Sequence, residues 1–259
     1  VPVTKKGEAR DDVSAAIPAL SQGGQRLYVR VNKGPYNFDT EDLEAVIHPG
    51  LEGIVLPKVN GPEDVDVLIS LVSDIEFRKN MEIGATKFIV TLETARSIYM
   101  AYEIAVKDRV IGIAGISAKN GDVARSVGFR WTPEGLESLY LKSKVVLAAR
   151  AAGVMPIGGL WQDVHDLDGL KTSALFNRQL GFAGELVLHP SNVPVINEVY
   201  SPSAEEIAYY KGMIETFEQA EKEGKGAVLY EGEHIDYAHV KTARQILEQA
   251  GRINQTTED

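Results

Sequence analysis

The chain has 259 residues, 44% of them hydrophobic and 25% charged, with a net charge of -10 and no cysteine. Such a composition suits one large soluble domain or two small ones. It excludes a disulfide scaffold, a thiolate nucleophile and a cysteine zinc site, and it disfavours a broad nucleic-acid footprint. No apolar run reaches membrane-spanning length, because Arg150 interrupts "VVLAARAAGVMPIGGLW". The opening "VPVTKKGEARDD" lacks the apolar core of a signal peptide. The expectation is a cytoplasmic protein.

In chain order, the first element expected is a helix over 4–20 with Ala9, Val13, Ile17 and Leu20 inside. Six near-continuous apolar runs follow, at 26–32, 53–59, 87–93, 110–116, 154–160 and 184–190. Strands buried on both faces read this way. Helical patterns lie between them. One starts at Pro62. Another has Thr132 as its cap, Pro133 in its first turn, Leu139, Ser143, Val146, Leu147 and Arg150 following at helical spacing, and Gly153 as its stop. A capping box from Ser203 to Glu206 opens a helix with Ile207, Tyr210, Ile214 and Phe217 on one side. A last helix covers roughly 237–250.

Strand-helix alternation predicts a parallel α/β sheet, either open and doubly wound or closed as a (β/α)8 TIM barrel. The turn "RVNKGPYN" after the first strand is no glycine-rich phosphate loop, which counts against a dinucleotide-binding sheet. Arg30, Asn32, Lys58, Glu93 and His189 all stand at or near C-terminal ends of strands. If Leu56 faces a barrel interior, alternation turns Lys58 inward too, and Thr91 does the same for Glu93. Any one of these residues could simply begin its loop. Together they predict a site at a barrel mouth.

Glu93 and Asp122 are candidate ligands for Mg²⁺, which commonly takes one or two carboxylates. Asp122 alone would equally serve as a helix cap. Arg30 could clamp a carboxylate with its planar fork, or Arg30 and Lys58 could form buried ion pairs with Glu93. His189 is expected to pack at the turn before Pro190. His165, near Asp163 and Asp166, is read as a polar loop beside a helix cap rather than a metal cluster.

The stretches "VRVN" (29–32), "GIVLPKV" (53–59), "LETARS" (92–97), "GDVARSVG" (121–128), "AARAAGV" (148–154), "RQLGFAGELVLHPSNVPVIN" (178–197), "SPSAEEI" (201–207) and "HIDYAHVKTARQIL" (234–247) resemble, in order, the CoA-ester lyase family. That family holds the citrate lyase beta subunit, malyl-CoA lyase and citramalyl-CoA lyase. The resemblance implies a (β/α)8 barrel, with one or two strand-helix units outside this chain. The barrel body would span 1–200, with a helical extension at 201–259 contacting a neighbouring subunit in a homotrimer or hexamer.

It also implies a Mg²⁺-dependent carbon–carbon lyase that converts a β-hydroxyacyl-CoA to an acyl-CoA and a 2-oxo acid. Glu93 and Asp122 would hold the metal. Arg30, Lys58 and Glu93 would bind substrate. Arg30 and Asp236 would be catalytic, Asp236 as an acid/base donated to the neighbour's site. Asp236 alone could be the N-cap of the last helix. Thioester hydrolysis and a catalytically silent subunit are the alternatives. Ser97 stands where the family has glycine, and is expected to crowd an approaching substrate group. The turn "GISAKNGDV" is longer than the family's.

Overall fold

A computed structural model describes every residue except 35–37, 116–117 and 258–259. Ile116 and Ser117, the start of the long turn, therefore lie outside the described residues. The chain divides into two compact units, Val1–Ile196 and Asn197–Asp259. Among the described residues no helix is long and apolar enough to cross a membrane.

The first unit is built on six parallel strands: β1 (Tyr28–Arg30), β2 (Gly53–Leu56), β3 (Lys87–Leu92), β4 (Val110–Gly115), β5 (Met155–Gly158) and β6 (Gly184–Glu185). Each lies within one of the six expected runs. Their order in the sheet is their order in the chain. A doubly wound sheet reverses its order at a switch point. Without a reversal, crossovers of one hand lay every helix on the same face and the sheet curls as a half-barrel. Among the described residues β1 and β6 do not pair with each other, so these six strands do not close a barrel.

Helices cover that face: α1 (Lys6–Ser21), α2 (Thr40–Val46), α3 (Pro62–Arg78), α4 (Ala95–Tyr99), α5 (Ala101–Ala105), α6 (Asp122–Val127), α7 (Leu139–Ala152) and α8 (Leu167–Leu180). The division of side chains between faces follows from register. Arg30, Val55, Ile89 and Gly112 are opposite one another, as are Leu56, Val90, Ile113 and Pro156. Ile54, Leu56, Phe88, Val90, Leu92 and Ile113 show no exposure and form the core under the helices. Each such side chain contributes about 1.5–3 kcal/mol on burial. Gly115 belongs to the same face, where an added Cβ would meet Val145 of α7 at 3.1 Å.

Leu56 thus points to the helices, not to the interior, which corrects the parity argument for Lys58. β2 ends at Leu56, and Lys58 adopts a left-handed conformation (φ 54°) that turns its side chain independently of strand alternation. Thr91 and Arg30 lie on the inner face.

Two helices also differ from expectation. Leu20 is exposed at the end of α1, although Ile17 is buried. α7 starts at Leu139, after a short 3-10 turn at Leu136–Ser138, because Gly135 is left-handed (φ 69°) and breaks the run. Thr132 hydrogen-bonds Glu137 instead of capping a helix. The buried stripe of α7 is Lys142, Val145, Val146, Ala148 and Ala149, whereas Leu147 is exposed. Gly153 ends the helix in the left-handed region as expected.

At the N-terminal end of β3, Glu76 of α3 is wholly buried. It accepts from the Gly84 and Thr86 amides, both at 2.8 Å, and pairs with Arg109 at 2.8 Å. Burial opposes its ionisation, but Arg109 and the amides outweigh burial and hold its pKa below the ordinary 4.5.

In the second unit, α10 (Ala204–Lys222) and α11 (Tyr237–Thr257) enclose Met213, Phe217, Ile235, Val240 and Ala243. The expected capping box is formed: Ser203 Oγ accepts from the Glu206 amide at 3.0 Å and Glu206 accepts from the Ser203 amide at 2.8 Å. The unit is not purely helical. An antiparallel hairpin, β7 (Ala227–Tyr230) with β8 (Glu233–Asp236), joins the helices. The boundary between the units falls within α9 (Val193–Tyr200).

Candidate active site

Parallel strands bring all their C-terminal ends to one edge of the sheet. β3 delivers Glu93 there, immediately before the N-cap of α4. Thr94 is that cap, and Ser97 completes a capping box by accepting from the Thr94 amide at 3.0 Å. Ser97 is fully buried in this role. Its hydroxyl is directed into the helix start, so it does not crowd the cleft.

Glu93 is only 6% exposed. Its Oε1 lies 2.7 Å from the Thr91 hydroxyl, which also lies 2.8 Å from the Leu56 carbonyl oxygen. One hydroxyl proton shared between two acceptors is thin support for a buried carboxylate. The neighbouring group is another acid: Asp122 lines the same cleft as Glu93.

Asp122 is the first residue of α6 and not its cap, a position held by Gly121. Its carboxylate pairs with Arg125 and lies 3.6 Å from Lys58 Nζ. Partial burial opposes ionisation of Asp122, but Arg125 and Lys58 outweigh it and hold its pKa below the ordinary 3.8. The cleft around these groups has a volume of about 420 Å³. Lys33, Lys58, Glu93, Asp122 and Arg125 all line it.

Three predicted site residues, Lys58, Glu93 and Asp122, therefore come together, and Arg30 does not join them. Arg30 shares the inner face with Thr91 but is exposed and borders a separate hollow with Lys6, Arg10 and Asn32. The ion pairs suggested for Glu93 do not form, since Lys58 faces Asp122 instead. Asp236 ends β8 in the second unit. There it accepts from the Ala238 amide at 2.9 Å and lies 2.7 Å from His239 Nδ1. The His239 hydrogen bond leads the causes that hold its pKa below 3.8.

Lys33 and Arg125 were missed by sequence reasoning. Lys33 Nζ donates to the Lys58 carbonyl at 3.1 Å and pairs with Asp64, which fixes the β1 loop against the β2 loop. Its signal was its place directly after Asn32. The two histidine expectations hold: His189 accepts from the Ser191 amide at 3.2 Å, and Asp166 caps α8 through the Gly169 amide at 2.9 Å.

The donor set bears on metal. Among the described residues no group of three His, Cys, Asp or Glu side chains is placed to hold an ion. Two hard carboxylates lining one cleft, one of them buried without a cation, fit Mg²⁺ completed by waters or substrate oxygens better than Zn²⁺.

The HpcH/HpaI aldolase/citrate lyase family model matches residues 1–190. The chain belongs to this family. It is 31% identical over 251 residues to the citrate lyase subunit beta of Leuconostoc mesenteroides subsp. cremoris, covering 96% of this chain and 82% of that protein. It is 30% identical over 249 residues to a (3S)-malyl-CoA thioesterase of Cereibacter sphaeroides, again covering 96% and 82%. The crystal structure of CitE from Mycobacterium tuberculosis with magnesium, acetoacetate and coenzyme A superposes with a TM-score of 0.71 at 26% identity, over 97% of this chain and 86% of that one. A further structure of that CitE, with magnesium and pyruvate, gives a TM-score of 0.60 at 26% identity, over 79% and 78%.

Proposed function

We propose that this protein is a Mg²⁺-dependent lyase that cleaves or forms the carbon–carbon bond of a β-hydroxyacyl-CoA such as malyl-CoA or citramalyl-CoA. The observation that carries the reading is the convergence of Glu93 and Asp122 on one cleft at the C-terminal edge of a singly wound parallel sheet. Magnesium-bound and CoA-bound relatives support it.

Glu93 and Asp122 would hold Mg²⁺. The ion would polarise the carbonyl of the 2-oxo acid and offset charge developing on its oxygen. The Thr91 hydroxyl orients Glu93. Lys58 and Arg125 keep Asp122 ionised while adding positive charge beside an anionic substrate. Arg30, at the end of β1, is assigned to the substrate carboxylate, which its fork can bind bidentately. Asp236, donated to a neighbouring subunit's cleft in a trimer or hexamer, would exchange the proton at the carbon next to the thioester. The same reading takes the six strands as part of a (β/α)8 barrel.

Incubation with malyl-CoA and citramalyl-CoA tests the proposal. The expected result is divalent-metal-dependent release of glyoxylate or pyruvate, absent in Glu93→Ala. No release from any such ester overturns it. The likeness to a malyl-CoA thioesterase supports a second reading, hydrolysis of the thioester in the same cleft. Free CoA and malate appearing without a 2-oxo acid would favour that outcome.

A further inference from the structure

A larger cavity, about 570 Å³, lies between α7 and α8 in the first unit and is not lined by Glu93 or Asp122. Its character is aromatic and cationic at once. Trp131 and Trp161 line it with ring centroids 5.8 Å apart, and Phe176 of α8 joins them. Lys119 lies over the Trp131 ring at 5.9 Å, and Lys142 over the Phe176 ring at 5.5 Å.

Lys142 is the unusual member. It is 8% exposed, on the buried stripe of α7, and borders the cavity. Among the described residues its ammonium has no hydrogen bond and no ion pair, and a buried cation in that condition is costly without an anion. Burial pushes its pKa below the ordinary 10.5, against the opposing fields of Glu185 and Glu137. The Trp161 indole N–H is buried without an acceptor. Asn177 Oδ1, which borders the adjoining hollow, is buried without a donor. The rim also carries Glu134, Asp163 and Asp166. Asp166 is engaged with α8, and Asp163 accepts from the His165 amide at 3.3 Å.

We propose that this cavity binds an adenine nucleotide, with the base against the tryptophans and a phosphate at Lys142 and Lys119. A purine presents a flat face for stacking, worth about 1–3 kcal/mol per base on an aromatic platform. Its edge carries an amino donor and ring-nitrogen acceptors, which complement the two unpartnered polar atoms. A phosphate supplies the missing anion. Lys119 lies in the connection that leads into Asp122 at the start of α6, so neighbouring residues of one segment line the cavity and the cleft. The nucleotide could be the end of a CoA ester or a free effector. The first source rests on the lyase reading, and the pocket itself does not.

The chain's only tryptophans are Trp131 and Trp161, so tryptophan fluorescence, excited selectively over the ten tyrosines, reports on this cavity. The full chain, without Mg²⁺, is titrated with adenosine 3′,5′-bisphosphate, ADP and 4′-phosphopantetheine. Saturable quenching by the two adenine compounds, and none by phosphopantetheine, is expected. Lys142→Met should weaken binding about ten-fold or more, as loss of a charge-assisted hydrogen bond does, and Lys142→Arg should restore much of it. Lys119→Ala, on an exposed side chain, gives a second test at no risk to the core. No saturable change with either nucleotide, or titrations unaltered in both lysine variants, overturns the proposal. Tighter binding of the bisphosphate supports CoA as the source, whereas tighter binding of ADP keeps the pocket and overturns that source. Glu93→Ala should leave every titration unchanged, so failure of the lyase reading and failure of the pocket are separable.

Discussion

A buried carboxylate sits at each end of β3, and the two are treated differently. Glu76, at the N-terminal end, has two backbone amides and the Arg109 guanidinium on its oxygens. Glu93, beyond the C-terminal end, has a shared hydroxyl and another acid. Exposure hardly separates them, at none and 6%. Satisfaction does. A fully bonded carboxylate is a structural tie, whereas an under-bonded one sharing a cleft with a second acid is where the proposed function would place a cation. The arrangement matches the division of labour in barrel folds, with stability at the N-terminal face and chemistry at the C-terminal face.

The largest expected effect falls on the structural end. Glu76→Ala leaves Arg109 buried and unpaired, which should cost about 3–5 kcal/mol in chemical denaturation. Glu93→Ala, by the same measurement, should cost little or even stabilise, because it removes a buried and under-bonded carboxyl group. Comparable destabilisation by both substitutions would break the contrast. Metal binding should respond in the opposite sense. Glu93→Gln should weaken Mg²⁺ binding by about a hundred-fold or more, as loss of a charged first ligand implies, while Glu76→Gln leaves it unchanged. Isothermal titration of the folded variants decides this.

Much of this contrast was legible in the sequence, but unevenly. The six strands could be read because strands covered on both faces must be apolar throughout, as "KFIVTLE" is. Glu93 stood out for the same reason, as a charge closing such a run. Glu76 did not, since a glutamate in an amphipathic helix looks like surface, and its partner Arg109 is 33 residues away. Lys142 was hidden in the same way, since a lysine in an amphipathic helix also looks like surface. The hairpin β7–β8 escaped because its turn is Glu231-Gly232, both with positive φ (49° and 87°), where Asn-Gly or Asp-Gly is the familiar signal. The side of the sheet that Leu56 faces could not be read at all, as both faces of β2 are apolar.

Acid should also separate the two ends, with a smaller effect. The folded-state pKa of Glu76 lies below its ordinary 4.5. A depressed carboxylate binds fewer protons folded than unfolded, so its contribution is complete above the unfolded value and is lost as pH falls through the folded one. Wild-type stability should therefore decline as pH drops below about 4.5, and Glu76→Gln should show a shallower decline over that range. Equal slopes in denaturation midpoint against pH would remove Glu76 from the explanation.

The smallest effect probes the cation beside Asp122 at the proposed metal site. Lys58 stands 3.6 Å from Asp122 and keeps 55% of its side chain exposed, so their pairing is worth no more than about 1 kcal/mol. It is nevertheless a cation beside the acid pair. If Lys58 serves there as a counter-ion for Asp122, Lys58→Met should raise Mg²⁺ affinity by a few-fold, since an ion no longer meets a resident positive charge. If it binds substrate, the same variant should raise KM for the CoA ester and leave Mg²⁺ affinity little changed. The two constants measured on one variant tell these roles apart. A rise in affinity with KM unaltered would place Lys58 with the metal-ready acids rather than with the substrate.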